Sequence, residues 1–436
     1  MAGYALGQGI RFGSNLVMTR LLVPEMWGVL SLALVFMYGL GMFTDIGLGQ
    51  AAVQSKRGGK ASFLNTVWVV KIVTGVTMTI GMFLVATAIA VAAHFELFPA
   101  GSTYAAPELP YVIAAIGATA LISGFESTKV YEATRYLSLG RITQMGVFTQ
   151  VVALASMLLA SMVTRSIWVL VTGAVVGAVL GVVMSHVWLR GTRNRLQWDR
   201  AEFTEILRFG KWILGSSSIS FLSVSMDRLI LGAVVPAATM GLYAIAGLLY
   251  GAIEQVVSKI VSQVSFPAFS EVARERVGDL RRTVYKFHTP IGLIAYGMTG
   301  FLVVAAPAVV RILYDSRYED AGWMLRIMVM GMLAIPAKVH AACLLSLGYS
   351  RIPFLQAVAA FAVTAVAIPL GFFFFGIAGA IAGVLAAQLS GVPIALFYSA
   401  RHGIVNVSRE LAVLVAAPTG ALAGYVFNVT VGRLAQ

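Results

Sequence analysis

Thirteen apolar runs, each long enough to cross a bilayer, constrain this chain more than any other feature. They lie near 4–23, 27–48, 64–93, 110–128, 142–163, 167–189, 212–232, 240–263, 289–312, 321–347, 352–373, 376–398 and 411–431. A spanning helix needs about 20 apolar residues, and only a helix or a closed barrel satisfies its backbone inside lipid. Hydrophobic residues make up 59% of the 436, against roughly 45–50% in soluble domains. The expected fold is therefore an all-α polytopic membrane protein.

The formal net charge of +13 invites a nucleic-acid reading, but its placement argues otherwise. Twenty Lys and Arg fall in the loops after the even-numbered runs. The intervening loops and the helix ends beside them hold only Arg20, Arg165, Arg311 and Arg317. One alternation accounts for every loop, and a miscounted run would scramble it. By the positive-inside rule the even loops and the N-terminus face the cytoplasm. Thirteen crossings put the C-terminus outside, unless run 13 stops short or a fourteenth helix follows it. The first run has no cationic start or A-x-A site and carries Arg11 at its middle, so it is expected to be a spanning helix.

Two stretches read alike. Arg20-Leu21-Leu22-Val23-Pro24 precedes Gly28 and an apolar helix, and Arg228-Leu229-Ile230-Leu231-Gly232 precedes Gly241-Leu242-Tyr243-Ala244 and another. The expected architecture is two parallel six-helix repeats (12 core transmembrane helices) plus a C-terminal extra helix, a plan common among transporters. The N-terminal lobe is expected over 1–189, a cytoplasmic basic linker with an interfacial helix over 190–211, the C-terminal lobe over 212–398, and a cytoplasmic connection with the extra helix over 399–436. In the linker, Asp199-Arg-Ala-Glu202 predicts a helix cap with a carboxylate returning from Glu202. Pro267–His288 predicts a second amphipathic surface helix, with Arg274, Arg276, Arg281, Arg282 and Lys286 on its polar face. Glycines four apart, at 173/177/181, 247/251 and 379/383, predict close helix packing.

Charges within the runs point to a path for solute. A charge at mid-bilayer costs roughly 2.5–3.5 kcal/mol on the insertion scale. Arg11, Arg20, Lys71, Arg228, Lys259, Arg326 and Lys338 outnumber Asp45, Glu126, Asp227 and Glu254. An apolar-walled cavity with surplus cations favours an anion, and the guanidinium fork suits phosphate. Arg20, Lys71 and Lys259 lie within snorkelling reach of an interface, whereas Arg11 does not. Arg11 and Arg228 are the expected contacts for an anionic group, with Arg20, Lys71 and Lys259 as further cavity cations. Asp45, Asp227 and Glu254 are expected as ion-coupling acids or structural partners.

Several chemistries lack their residues. The sequence has no GxxxxGK[ST], H-E-x-x-H, C-x-x-C or G-x-S-x-G. Cys343 is the only cysteine, and the five histidines have no metal-ligand spacing, so no metal, cofactor or nucleic-acid partner is expected. The longest outer loop, His94–Pro110, offers no acid/base pair for a membrane polysaccharide polymerase or ligase.

Four motifs, in order, resemble one family. They are Arg20-Leu-Leu-Val-Pro-Glu-Met-Trp-Gly28 with Thr44-Asp-Ile-Gly-Leu-Gly49; Arg208–Trp212 through Met226–Gly232 and Gly241–Ala246; Phe266-Pro-Ala-Phe-Ser270; and Leu313–Trp323. Over about residues 5–400 the chain resembles the Wzx-type polysaccharide (oligosaccharide) flippases of the multidrug/oligosaccharidyl-lipid/polysaccharide exporter superfamily. Val23 and Asp315 stand where that family usually has glycine. The resemblance implies a polysaccharide-biosynthesis transporter. It would flip undecaprenyl-diphosphate-linked oligosaccharide units by alternating access, alongside membrane lipids and the polymerase or export machinery. The alternatives are a lipid II-type flippase, a multidrug or cation antiporter of the same superfamily, and a membrane polysaccharide polymerase or ligase.

Overall fold

The computed structural model describes residues 2–261, 265–275, 277–349 and 351–434, and every regular element among them is helical. In chain order these are α1 (Ala2–Leu21), α2 (Pro24–Thr44), α3 (Leu48–Gln54), α4 (Ala61–His94), α5 (Leu109–Gly124), α6 (Lys129–Arg135), α7 (Leu139–Val163), α8 (Trp168–Val187) and α9 (Arg200–Val234). There follow α10 (Ala237–Ile260), α11 (Phe266–Glu275), α12 (Leu280–Leu313), α13 (Ala321–Met328), α14 (Ile335–Ser346), α15 (Arg351–Leu389), α16 (Gly391–Arg401), α17 (Val407–Leu414) and α18 (Ala416–Leu434). Among the described residues, each of the thirteen apolar runs falls mostly on helix.

Nine helical stretches among the described residues are long and apolar enough to cross a membrane. The others fall short for separate reasons. Polar Gln8, Arg11, Ser14, Asn15 and Arg20 lower the hydropathy of α1, and the side chains of part of α9 lie outside the described residues. α5 has only 16 residues and bends by 66° into α6. Arg351–Arg401, at 51 residues, is too long for one crossing. It doubles back at Gly376, whose φ of 60° and ψ of −146° favour glycine. A Cβ on Gly379 would lie 2.1 Å from Gly371 O, and one on Gly383 2.6 Å from Ala367 O. The two arms therefore pack backbone to backbone, as the 379/383 spacing predicted. The 173/177/181 series behaves differently. Only Gly173 is tightly packed, against Met157, and Gly181 has nothing within 4 Å.

The chain forms two compact units, Met1–Gly241 and Leu242–Gln436. In the first, α4 packs closely on α5, where Thr79 Oγ donates to Gly117 O at 2.9 Å. α1 packs on α7, α7 on α8, and α2 on α9. The first unit also holds the stretch expected to be a cytoplasmic basic linker. Residues 190–199 are an extended strap tied to its helix ends. Thr192 donates twice to Glu132, Ser127 Oγ donates to Asn194 Oδ1 at 2.6 Å, and Arg195 N donates to Asn65 Oδ1 at 2.9 Å. Asn65, Ser127, Thr128 and Glu132 are buried, so these bonds satisfy groups that would otherwise be costly to desolvate.

The separate interfacial helix expected over 190–211 is not formed as such. Its helical part is the first turns of α9, one continuous 35-residue helix. Asp199 does cap it, accepting from Ala201 N and Glu202 N. Glu202 faces Arg57 at 3.5 Å, while the Asp199 N–H is taken by Thr66 Oγ at 3.1 Å. The expected second surface helix is likewise divided. It consists of the short α11 and the first turns of the 34-residue α12. Arg276 and the side chain of Arg274 lie outside the described residues.

In the second unit α12 crosses α18 through glycines. A Cβ on Gly300 would lie 1.9 Å from Ala417 O, one on Gly420 2.0 Å from Gly297 O, and one on Gly424 2.5 Å from Phe301 O. α12 also packs on α13 and α14, and α14 on α16.

Candidate functional site

The expected charges fall into paired and open groups. Lys71 lies ten residues into α4, roughly 15 Å from its start at 1.5 Å per residue. Its Nζ donates to Glu126 Oε2 at 2.5 Å and sits 5.4 Å from the Tyr131 ring centroid. Side-chain exposures of 16% and 28% make this a half-buried pair. Glu126 reaches Lys71 because α5 ends at Gly124, where the chain turns. His186 Nε2 and Phe125 O, 2.9 Å apart, hold that turn.

Asp45 is the C-cap of α2. One oxygen accepts from Gly47 N at 2.8 Å, and the other from Ser217 Oγ at 3.3 Å. It therefore fixes the left-handed turn at Gly47 (φ 64°) and ties α2 to α9. Asp227 and Arg228 are adjacent and half-buried on α9. Near them Tyr104 OH donates to Leu229 O at 3.3 Å. Burial of that loop phenol pushes its pKa up to about 12.

In the second unit Glu254 on α10 pairs with Lys338 on α14, and Ser258 Oγ donates to the same carboxylate at 2.6 Å. Lys338 lines a cavity of about 260 Å³ with Ala334, Ala337, Gln356, Ala360 and Gln388. Tyr250 OH donates to Gln388 Oε1 at 3.1 Å. The side chain of Lys259 lies outside the described residues.

Arg11 and Arg228 are different. Arg11 is exposed on α1, and at Gly9 and Gly13 beside it an added Cβ would meet nothing within 4 Å. Among the described residues, no carboxylate forms an ion pair with Arg11 or Arg228. Arg20 is exposed near the end of α1. No described carboxylate bridges two of the expected cations.

Two of the five scattered histidines do come together. His288 on α12 and His340 on α14, both fully buried, converge on Glu410 of α17. Local spacing could not show this. Loop charge could have, because the start of run 9, the end of run 10 and the start of run 13 are all predicted at one face of the membrane.

The fold superposes on the lipid II flippase MurJ in an inward closed conformation, with a TM-score of 0.64 at 12% identity over 99% of this chain and 93% of the other. It superposes equally on an inward-facing multidrug resistance MATE family transporter of the MOP superfamily, with a TM-score of 0.65 at 16% identity over 99% and 95%. Those identities speak to fold alone.

Residues 17–322 match the family described as polysaccharide biosynthesis protein, and the chain belongs to that family. It is similar to the lipopolysaccharide biosynthesis protein WzxC of Escherichia coli (strain K12), with 21% identity over 323 residues, covering 73% of this chain and 62% of that protein. The chain spans from 38% to 64% of the length of the curated relatives it matches.

Proposed function

We propose that this protein is a transporter of polysaccharide biosynthesis that flips an undecaprenyl-diphosphate-linked oligosaccharide from the cytoplasmic to the outer leaflet of the inner membrane, working by alternating access with its N-terminus in the cytoplasm. One observation carries the reading: Arg11 and Arg228 lie within membrane-length helices and have no carboxylate partner among the described residues. A cation within the membrane and without a counter-charge is costly, and a diphosphate would compensate it while the lipid is bound. Lys71 and Glu254 contribute less, since each already has an opposite charge beside it.

The family assignment supports the same direction, and so does the kind of protein found among the relatives, which are polysaccharide biosynthesis and transport proteins by name. The MATE likeness supports a drug antiporter equally well at the level of fold. Charge separates the two readings, because a cationic drug calls for a surplus of acid along the path.

The test is the pool of undecaprenyl-diphosphate-linked repeat units in cells lacking the protein. The units should accumulate, and wild type should clear them, whereas Arg11→Ala and Arg228→Ala at equal membrane abundance should not. An unchanged pool, with increased sensitivity to cationic compounds, would move the assignment to drug efflux.

A further inference from the structure

We propose that His288, His340 and Glu410 form a binding site for a divalent transition-metal ion of the zinc class that cross-braces α12, α14 and α17. The site goes beyond the transport reading and stands or falls without it.

The donor atoms are already gathered. His288 Nε2 lies 3.1 Å from Glu410 Oε2, and His340 Nε2 lies 3.0 Å from Glu410 Oε1. The imidazole centroids are 5.0 Å apart, and one ligand atom from each residue falls within a 4.8 Å set. Tetrahedral zinc, with bonds of about 2.0–2.2 Å, places neighbouring ligand atoms about 3.3 Å apart. The two His–Glu separations already match that spacing, and the widest separation in the set, at most 4.8 Å, has to close by no more than about 1.5 Å to admit an ion. Two imidazoles and one carboxylate leave a fourth position for water, a donor set known from zinc sites.

The surroundings favour coordination over a plain hydrogen-bond network. Both histidines are fully buried, and the Nε2 atom of His288 has no hydrogen-bond partner among the described residues, although Glu410 Oε2 lies 3.1 Å away. A buried ring nitrogen without a partner carries a desolvation penalty. Coordination at that Nε2 would offset it. Tyr285 OH donates to Glu410 Oε1 at 2.5 Å and accepts from Asn406 N at 2.7 Å. It thus orients the carboxylate from outside the ligand set, as partners of metal-binding carboxylates do. Glu410, at 22% side-chain exposure, supplies the access route. The net effect would be to hold α17, and α18 directly after it, against α12 and α14.

The test uses full-length protein purified without a polyhistidine tag, stripped with chelator and reloaded with Zn²⁺ or Co²⁺ in detergent. The expected result is stoichiometric zinc by elemental analysis and the visible absorption of four-coordinate Co²⁺. Zn²⁺ should raise the melting temperature of wild type. Glu410→Gln and His340→Ala should weaken zinc binding about tenfold or more and abolish the cobalt spectrum. His402→Ala, at an exposed histidine, should leave both intact. Wild type that takes up no stoichiometric metal and gives no cobalt spectrum would overturn the proposal, whatever the variants do. So would full metal retention in Glu410→Gln.

Discussion

Gly28 and Gly241 sit back to back. A Cβ on Gly28 would lie 3.0 Å from Gly241 N and 2.0 Å from Ala237 O, and a Cβ on Gly241 would lie 3.1 Å from Gly28 N and 1.9 Å from Pro24 O. The opening turns of α2 and α10 therefore cross at a distance only hydrogen side chains allow. These are the glycines of the two stretches that read alike in the sequence, so the likeness is realised as a reciprocal contact.

Gly28→Ala should destabilise the protein by about 1–3 kcal/mol, because the obstructing atoms are backbone and cannot rotate away. Gly13→Ala on α1 should be neutral or slightly stabilising, since a Cβ there meets nothing within 4 Å and alanine favours helix by about 1 kcal/mol. Melting curves in detergent for the two variants check the contrast. Equal stability would remove the close-crossing argument.

Lys71→Met alone and Glu126→Gln alone should each cost about 1–3 kcal/mol, since each leaves a half-buried charge without its partner. The double variant should recover most of the loss. Transport by the double variant then separates roles. If it flips its lipid-linked substrate normally, Lys71 serves Glu126 and not the solute. If it is stable but inactive, Lys71 belongs to the path.

Asp45→Asn should keep its fold and its activity, because the amide oxygen can still accept from Gly47 N. Asp45→Ala should lose about 1 kcal/mol along with the cap. Stability and flipping measured together decide the matter. A stable but inactive Asp45→Asn would make the carboxylate charge a coupling element.

Cys343 is completely buried on α14, so maleimide should label it slowly in the folded protein and rapidly once the chain is unfolded. Its labelling rate is then an internal gauge of folding for every variant above. Fast labelling of wild type in mild detergent would contradict the packing of α14.

The helices were legible because lipid imposes one rule on every residue of a run: backbone groups must bond within the segment, and side chains must be apolar. Arg190–Lys211 shows where that legibility ends. Its composition reads as a basic linker, yet Asn65, Ser127 and Glu132 hold it against the first unit, and those bonds depend on partners far away in the chain. Lys71 shows the same for the candidate site. Sequence gave its depth, but only the turn after α5 placed Glu126 beside it.

By itself, then, the sequence determined the number of apolar runs, the alternation of their loops, the surplus of cations and the family, all of which are local or additive properties. The tertiary structure decided the fold-back at Gly376, the pairing of Lys71 with Glu126 and of Glu254 with Lys338, and the meeting of His288, His340 and Glu410. Those depend on which helix faces touch. Side-chain pairing is set by packing between distant segments, and a run of hydropathy carries no record of its neighbours.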